Sequence, residues 1–415
     1  MNDEIINFGL QQAGSSIIKV IGVGGGGNNA VNHMFGAGIE GVDFIICNTD
    51  SQAMLKSPVP VKVQLGVTLT EGRGAGNHPA QGEQAAIENL DDLKLVIEGS
   101  TKMLFITAGF GGGTGTGAAP VIAKLARELN ILTIAVVTIP SPAEGKRRFN
   151  QALEGVKKLE EHVDSLLVVS NEKLHKIYGD LPASQAFKKA DDIIATAVKG
   201  VAEIITLHGN INIDFADVST VLTSSGVFLM GTGFADGENR DMKAVKAALD
   251  SPLLDSNDIN GTKDILLNII SGENEITMGE IGNIIEYLQE AAGQDANIIW
   301  GNGFDNRLGK QISVSIIATG FNTNPNELFQ EEKPIEEFEL NNVETNINIE
   351  EEEIEEQLFE SEKSKEQEVI SDKQTEKKKK ELISENVQES GNTDNWFHRK
   401  FTRFFEDNDV SISDE

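Results

Sequence analysis

Two runs of glycine are the residues in this chain best suited to chemistry. The first, Gly22-Val23-Gly24-Gly25-Gly26-Gly27-Asn28-Asn29, follows a β-branched run and precedes a helical pattern. Glycines at such a junction let backbone amides approach a phosphate, and a helix N-terminus adds free N–H groups and a positive dipole. Gly22, Gly24 and Gly27 satisfy G-x-G-x-x-G, and Asp50 lies where a dinucleotide fold places its ribose ligand. By itself this run therefore admits an NAD-dependent enzyme, or a glycine turn that serves only tight packing. The second run, Ala108-Gly109-Phe110-Gly111-Gly112-Gly113-Thr114-Gly115-Thr116-Gly117, also separates a strand from a helix, with Pro120 read in that helix's first turn. One dinucleotide site rarely needs two such loops. A nucleoside triphosphate has three phosphates, which consecutive glycine amides and the hydroxyls of Thr114 and Thr116 can cradle. No G-x-x-x-x-G-K-S/T run is present, which excludes a P-loop NTPase. A third candidate is Asn212-x-Asp214-x-x-Asp217. Two carboxylates three residues apart on a loop can polarise water and help bind a cation, although residue type alone favours helix-capping acids.

The elements that must position these residues show in the hydrophobic pattern. Residues 17–23, 43–48, 102–108 and 132–139 are nearly continuously apolar, as in a parallel sheet covered on both faces. Helical patterns intervene near 28–37, 80–98, 118–130 and 145–163, giving a βαβ series and a doubly wound α/β sheet. A long periodic helix follows over 183–208, with Phe187, Ile194, Val198, Val201 and Ile205 on one face. Strands near 225–234, 263–270, 296–300 and 311–320, with helices near 239–249 and 277–291, read as a smaller α+β domain.

The expected organisation is an N-terminal extension (1–15), a nucleotide domain (16–182), the central helix (183–208), a second domain (209–321), a disordered acidic linker (322–391) and a terminal peptide (392–415). Net charge is −31, and residues 321–415 hold 28 of the 66 acids but only 11 of the 35 bases. Such a segment buries too little apolar surface to offset chain entropy. In the terminal peptide, Phe397, Phe401, Phe404 and Phe405 recur at helical spacing with Arg399, Lys400 and Arg403 between them. The acidic balance argues against nucleic-acid binding. No window is long and apolar enough for a spanning helix, Cys47 is the single cysteine, and the first residues lack a signal-peptide pattern. A cytosolic protein is expected.

The sequence GGGTGTG at Gly111–Gly117 matches the signature of tubulins and FtsZ. GVGGGGNNAV (22–31), Asn48-Thr49-Asp50, Gly72-Arg73-Gly74-Ala75-Gly76, Glu144-Gly145-Lys146-Arg147-Arg148 and Asn212-Ile213-Asp214-Phe215-Ala216-Asp217 follow the same order and spacing. Over roughly residues 16–321 the chain thus resembles the tubulin/FtsZ family of GTPases. The resemblance implies a tubulin-like fold and head-to-tail filaments forming a division ring at midcell beneath the inner membrane. It implies that Gly25, Gly26, Gly27, Asn28 and Asn29 line the nucleotide, Asn29 near the base. Gly113, Thr114 and Gly115 would hold phosphates, Glu144 and Arg148 the ribose side. Asp191 would accept from guanine N1–H and the exocyclic amine, with Phe187 stacking on the base or packing in the core. Asp214 and Asp217, with Asn212, would complete the site of the next subunit, where water attacks the γ-phosphate of GTP with Mg²⁺ present. No metal ligand is assigned. Two departures stand out. Ile139-Pro140-Ser141-Pro142-Ala143 replaces the family's Arg-Pro-Phe-x-Phe, and the terminal peptide carries WFHRKFTRFFED in place of an acidic-aliphatic-Pro peptide. Its implied partner is a membrane adaptor or another division protein, with a lipid surface as the rival.

Overall fold

The structure, a computed structural model, describes residues 16–206, 211–250, 259–293 and 295–321. In chain order the first elements are β1 (Ile18–Val23), α1 (Gly24–Gly36), β2 (Asp43–Asn48), α2 (Ser51–Leu55), β3 (Val61–Gln64), α3 (Val67–Thr70), α4 (Pro79–Glu88) and α5 (Leu90–Ile97). Next come β4 (Met103–Gly109), α6 (Thr114–Glu128), β5 (Leu132–Ile139), α7 (Lys146–Glu160), β6 (Ser165–Ser170), α8 (Asn171–Tyr178) and α9 (Ala183–Thr206). The remainder is α10 (Phe215–Leu222), β7 (Gly226–Val227), β8 (Leu229–Ala235), α11 (Arg240–Leu249), β9 (Asp264–Ser271), α12 (Met278–Ala292), β10 (Asn297–Phe304) and β11 (Ile312–Thr319).

The first seven strands form one parallel sheet in the order β3-β2-β1-β4-β5-β6-β7. Its direction of winding reverses between β1 and β4, so the loops leaving their carboxyl ends lie side by side. In open α/β sheets that crevice is where ligands bind. Both glycine runs are these two loops. Alternate residues of β1 serve opposite faces. Ile18 and Val20 join a core with α1, α9 and α10, while Ile21 and Val23 join one with α4, α5, α6 and α7.

The second sheet, β10-β9-β11-β8, is mixed. β10 runs parallel to β9, and β11 is antiparallel to both β9 and β8. α11 and α12 cover one face. On the other, Met230, Leu266 and Ile317 join the core that contains α9, so that helix buries against both sheets. Gly200 lets it approach β8, where an added Cβ would collide with the Met230 terminal methyl.

Several boundaries differ from the sequence pattern. The stretch near 225–234 is two strands: β7 extends the first sheet, β8 edges the second, and Phe228 between them is fully buried. The first sheet therefore reaches past the boundary expected at 208/209. The helix expected over 80–98 breaks at Asn89, whose Nδ2 donates to Asp92 and whose Oδ1 accepts from the Gly66 N–H. Pro120 stands well inside α6 rather than in its first turn, because the helix already begins at Thr114. The linker (322–391) and terminal peptide (392–415) lie outside the described residues.

Candidate nucleotide-binding site

The two glycine loops pack backbone against backbone, which explains why both must be glycine. Gly24 has φ +70°, and a Cβ there would stand 2.9 Å from the Gly115 nitrogen. A Cβ on Gly115 would in turn collide with the Gly109 carbonyl oxygen. Real Cβ atoms do not make such contacts, so a side chain at Gly24 would push the loops apart and one at Gly115 would distort the second loop.

Between the loops, the carboxyl end of β5, α7 and α9 lies a cleft of about 450 Å³. Of the residues singled out from sequence, Gly25, Gly26, Asn29, Gly113, Thr114, Gly115, Glu144, Arg148 and Asp191 line it together. Their arrangement is graded. Gly113 and the uncapped N-terminal turn of α6 line one end, where the free N–H groups of a helix start suit phosphate oxygens. Asn29 and Asp191 belong to α1 and α9. Burial pushes the Asp191 carboxyl up to about 6, with the neighbouring Asp192 charge adding to the rise and His33 opposing it.

Other placements correct the sequence reading. Asn28 is buried and does not line the cleft. With its amide oriented to suit its neighbours, it donates to the carbonyls of Gly22, Gly24 and Cys47 and accepts from Asn48 Nδ2. It braces the first loop from below. Gly27, also buried, sits against β4, where a Cβ would collide with the Thr107 carbonyl. The Thr116 hydroxyl, expected at a phosphate, is buried and accepts from the Gly111 N–H at 2.9 Å. Thr114 does face the cleft, with its Oγ1 2.6 Å from Thr49 Oγ1. Asp50 caps α2 through the N–H groups of Gln52 and Ala53 and does not line the cleft, so it does not take the ribose role suggested by G-x-G-x-x-G. Phe187 belongs to α9, and its side chain lies outside the described residues.

The altered segment 139–143 rebuilds its own support. Ser141 Oγ accepts from the Ala143 N–H at the head of a short 3-10 turn, and Glu144 Oε1 accepts from the Ser141 N–H at 3.0 Å. Asn171 Nδ2 donates to the same Glu144 oxygen at 3.0 Å. One Glu144 oxygen is thus committed to the fold, and the other remains for a ligand. Asn171 and Thr138 also line the cleft, and Gln151 Nε2 donates to the Gly112 carbonyl at 2.9 Å. Sequence reasoning passed over all three. Thr138 is the last residue but one of β5 and Asn171 follows β6, so their positions at carboxyl ends of parallel strands are the signal that points to them.

Asp214, Asp217 and Asn212 do not line the cleft. Asp214 Oδ1 accepts from the Asp217 N–H at 2.9 Å, and Asp217 Oδ2 accepts from the Asp214 N–H at 3.1 Å, a reciprocal capping box at the head of α10. Each carboxylate keeps a second oxygen. Asn212 and Asp214 are exposed and Asp217 partly so. Among the described residues no three His, Cys, Asp or Glu side chains form a cluster able to hold a metal ion, and no helix is long and apolar enough to cross a membrane.

Residues 17–179 match the family model for the tubulin/FtsZ family GTPase domain, and residues 226–322 match that for the FtsZ family C-terminal domain. The "Cell division protein FtsZ" of Porphyromonas gingivalis is 47% identical over 324 residues, covering 77% of this chain and 71% of the relative. That of Azotobacter vinelandii is 48% identical over 310 residues, 74% of this chain and 78% of the relative. The solved structure of an empty FtsZ dimer from M. jannaschii superimposes with a TM-score of 0.68 at 41% identity, covering 75% of this chain and 90% of that one. Two nucleotide-type loops at the switch point of the first sheet, a second sheet joined through α9, and these matches have one reading: the chain belongs to the tubulin/FtsZ family, as a GTPase of the FtsZ branch.

Proposed function

We propose that this GTPase hydrolyses GTP at the junction of two subunits stacked head to tail, and that the resulting filament builds a division ring. The observation that carries the reading is a separation. The cleft suited to the nucleotide does not contain the carboxylates suited to activating water. Asp214 and Asp217 sit on the head of α10 with one oxygen each unused by the capping box. A second subunit bringing that loop to the open cleft unites the two halves.

In this mechanism Gly113 and the first turn of α6 hold the phosphates, and the amides of Gly25 and Gly26 approach the nucleotide from the first loop. Glu144 and Arg148 face the ribose. Asn29 and the ionised Asp191 read the base, since an acceptor-only carboxylate satisfies the paired donors of guanine and finds no such pair on adenine. Asp214 and Asp217 of the following subunit orient water toward the γ-phosphate, with Asn212 beside them. Mg²⁺ bound with GTP would offset phosphate charge. The M. jannaschii relative, solved as an FtsZ dimer, supports self-association.

The terminal peptide 392–415 is proposed to join the filament to a membrane adaptor or another division protein, keeping the assembly in the cytoplasm at midcell under the inner membrane. Its phenylalanines recur at helical spacing in the sequence, which supports docking on a partner, while the interleaved arginine and lysine keep an anionic lipid surface as the rival. Turnover per subunit measured against protein concentration tests the shared site. A threshold below which turnover vanishes is expected, and constant specific activity down to fully dissociated subunits would overturn the proposal.

A further inference from the structure

Helices α1 and α9 each carry one residue proposed to read the base, and a short polar contact beside those residues ties the helices together. His33 Nε2 lies 2.8 Å from Asp192 Oδ1. His33 is one helical turn beyond Asn29 on α1, so the two share a face, and Asp192 directly follows Asp191 on α9. Asp192 is held from two sides, because Lys189 Nζ stands 3.2 Å from its other oxygen, Oδ2. Neither His33 nor Asp192 lines the nucleotide cleft. Both line a different cavity of about 450 Å³, shared with Glu40, Lys199, Glu203 and Arg307.

We propose that His33 is a positioning residue for base selectivity: its bond to Asp192 fixes the seat of α9 against α1 and so sets Asn29 and Asp191 around one base. The proposal rests on the reading of the cleft as a guanine-nucleotide site. The physical reason is the narrow geometry of hydrogen bonds. Asp191 must meet two donors of one ring edge at about 2.9 Å, and successive residues of a helix are about 100° apart, so a slight roll of α9 carries the carboxylate off that edge. A bridge one residue from Asp191 restrains that roll with little lever arm.

A second effect follows from charge. Asp191 feels burial first, then His33, which favours its ionised form, and Asp192, which disfavours it. Around this pair the other charged groups are Lys189 on α9, Glu40 after α1, Lys199 and Glu203 farther along α9, and Arg307 before β11. Removing His33 takes away a neighbour whose influence on Asp191 favours the ionised, acceptor form.

Fluorescent GTP and inosine triphosphate, which lacks the exocyclic amine, are titrated against dilute full-length protein from pH 5 to 8. In His33→Ala the preference for GTP is expected to fall roughly five- to tenfold, and the acid limb of GTP affinity to move to higher pH. His33→Gln, whose amide still donates to Asp192, should recover the preference at pH 7.5 without restoring the limb. The double variant His33→Ala/Asp192→Ala should lose no more than the larger single loss, as expected of partners in one bond. An unchanged preference and limb in both His33 variants would overturn the proposal. Asp191→Asn separates that failure from a wider one. If Asp191→Asn loses the preference while His33→Ala keeps it, the positioning role fails and the site reading stands. If Asp191→Asn keeps it, the guanine reading fails and the positioning role with it.

Discussion

At the scale of single residues, burial decides what each polar group can do. Asp191 is half-buried, and loss of water raises its carboxyl to about 6, close enough to neutrality for pH to govern recognition. In the proposed site, the ionised carboxylate accepts from both guanine donors. Protonated, it becomes a donor facing donors. GTP affinity is therefore expected to be full above about pH 7 and to fall roughly tenfold per unit below about pH 6, as read by titration of labelled GTP. Affinity that stays flat from pH 7.5 to 5 would count against the assignment. The glycines of both loops are readable from sequence because only a missing side chain permits two backbones to touch. Asn28 and Thr116 are not, since whether a side chain faces a ligand or braces a loop depends on neighbours from distant strands. Asn28 sits under Gly22 and Cys47, and Thr116 closes onto Gly111.

Among the elements, the second domain depends on a clamp that no sequence pattern marks. Arg240 at the head of α11 donates through Nε to Glu280 Oε1 at 2.7 Å and through a terminal nitrogen to Oε2 at 3.1 Å. Its terminal nitrogens also donate to the carbonyls of Asn274 and Glu275. Glu280 meanwhile accepts from the Thr277 N–H, closing the capping box of α12. The Arg240 hydrogen bonds pull the Glu280 carboxyl down to about 2 despite some opposing burial. Because its folded value lies below the unfolded one of about 4.3, the stabilisation is present above that pH and is lost as pH falls toward 2. Arg240→Ala should cost roughly 2–3 kcal/mol in urea unfolding at pH 7, with the deficit shrinking below about pH 4. A loss under about 0.5 kcal/mol at pH 7 would place the pair among ordinary surface bridges. The long strands β1, β2, β4 and β5 are legible as apolar runs. β3 is four residues at a sheet edge with two exposed, and β6 is a short buried run that periodicity cannot tell from a helix segment. Asn171, which follows this run directly, is hidden with it.

Across the whole molecule, the two family matches leave out residues 180–225, which hold α9, Asp214 and Asp217. In the proposed filament this middle segment links one site to the next: α9 lines the cleft of its own subunit, and the loop beyond it serves a neighbour. The terminal peptide is proposed to act apart from the GTPase, through the acidic segment that precedes it in the sequence. Removing residues 392–415 should leave GTP turnover in solution near that of the full chain while abolishing ring attachment in cells, and midcell rings formed by the truncated protein would contradict the tether role. The central claim is that one active site is built from two chains, and mixing tests it most directly. Asp214→Ala keeps the cleft and loses the loop, whereas Gly115→Ala drives a Cβ into the Gly109 carbonyl, distorts the second glycine loop and loses the cleft. Each alone should show GTP turnover reduced about a hundredfold or more. Mixed in equal amounts, they should recover turnover up to about a quarter of the unaltered protein's, as random head-to-tail pairing allows. A mixture no more active than its components, with both variants co-sedimenting in one polymer, would contradict the account.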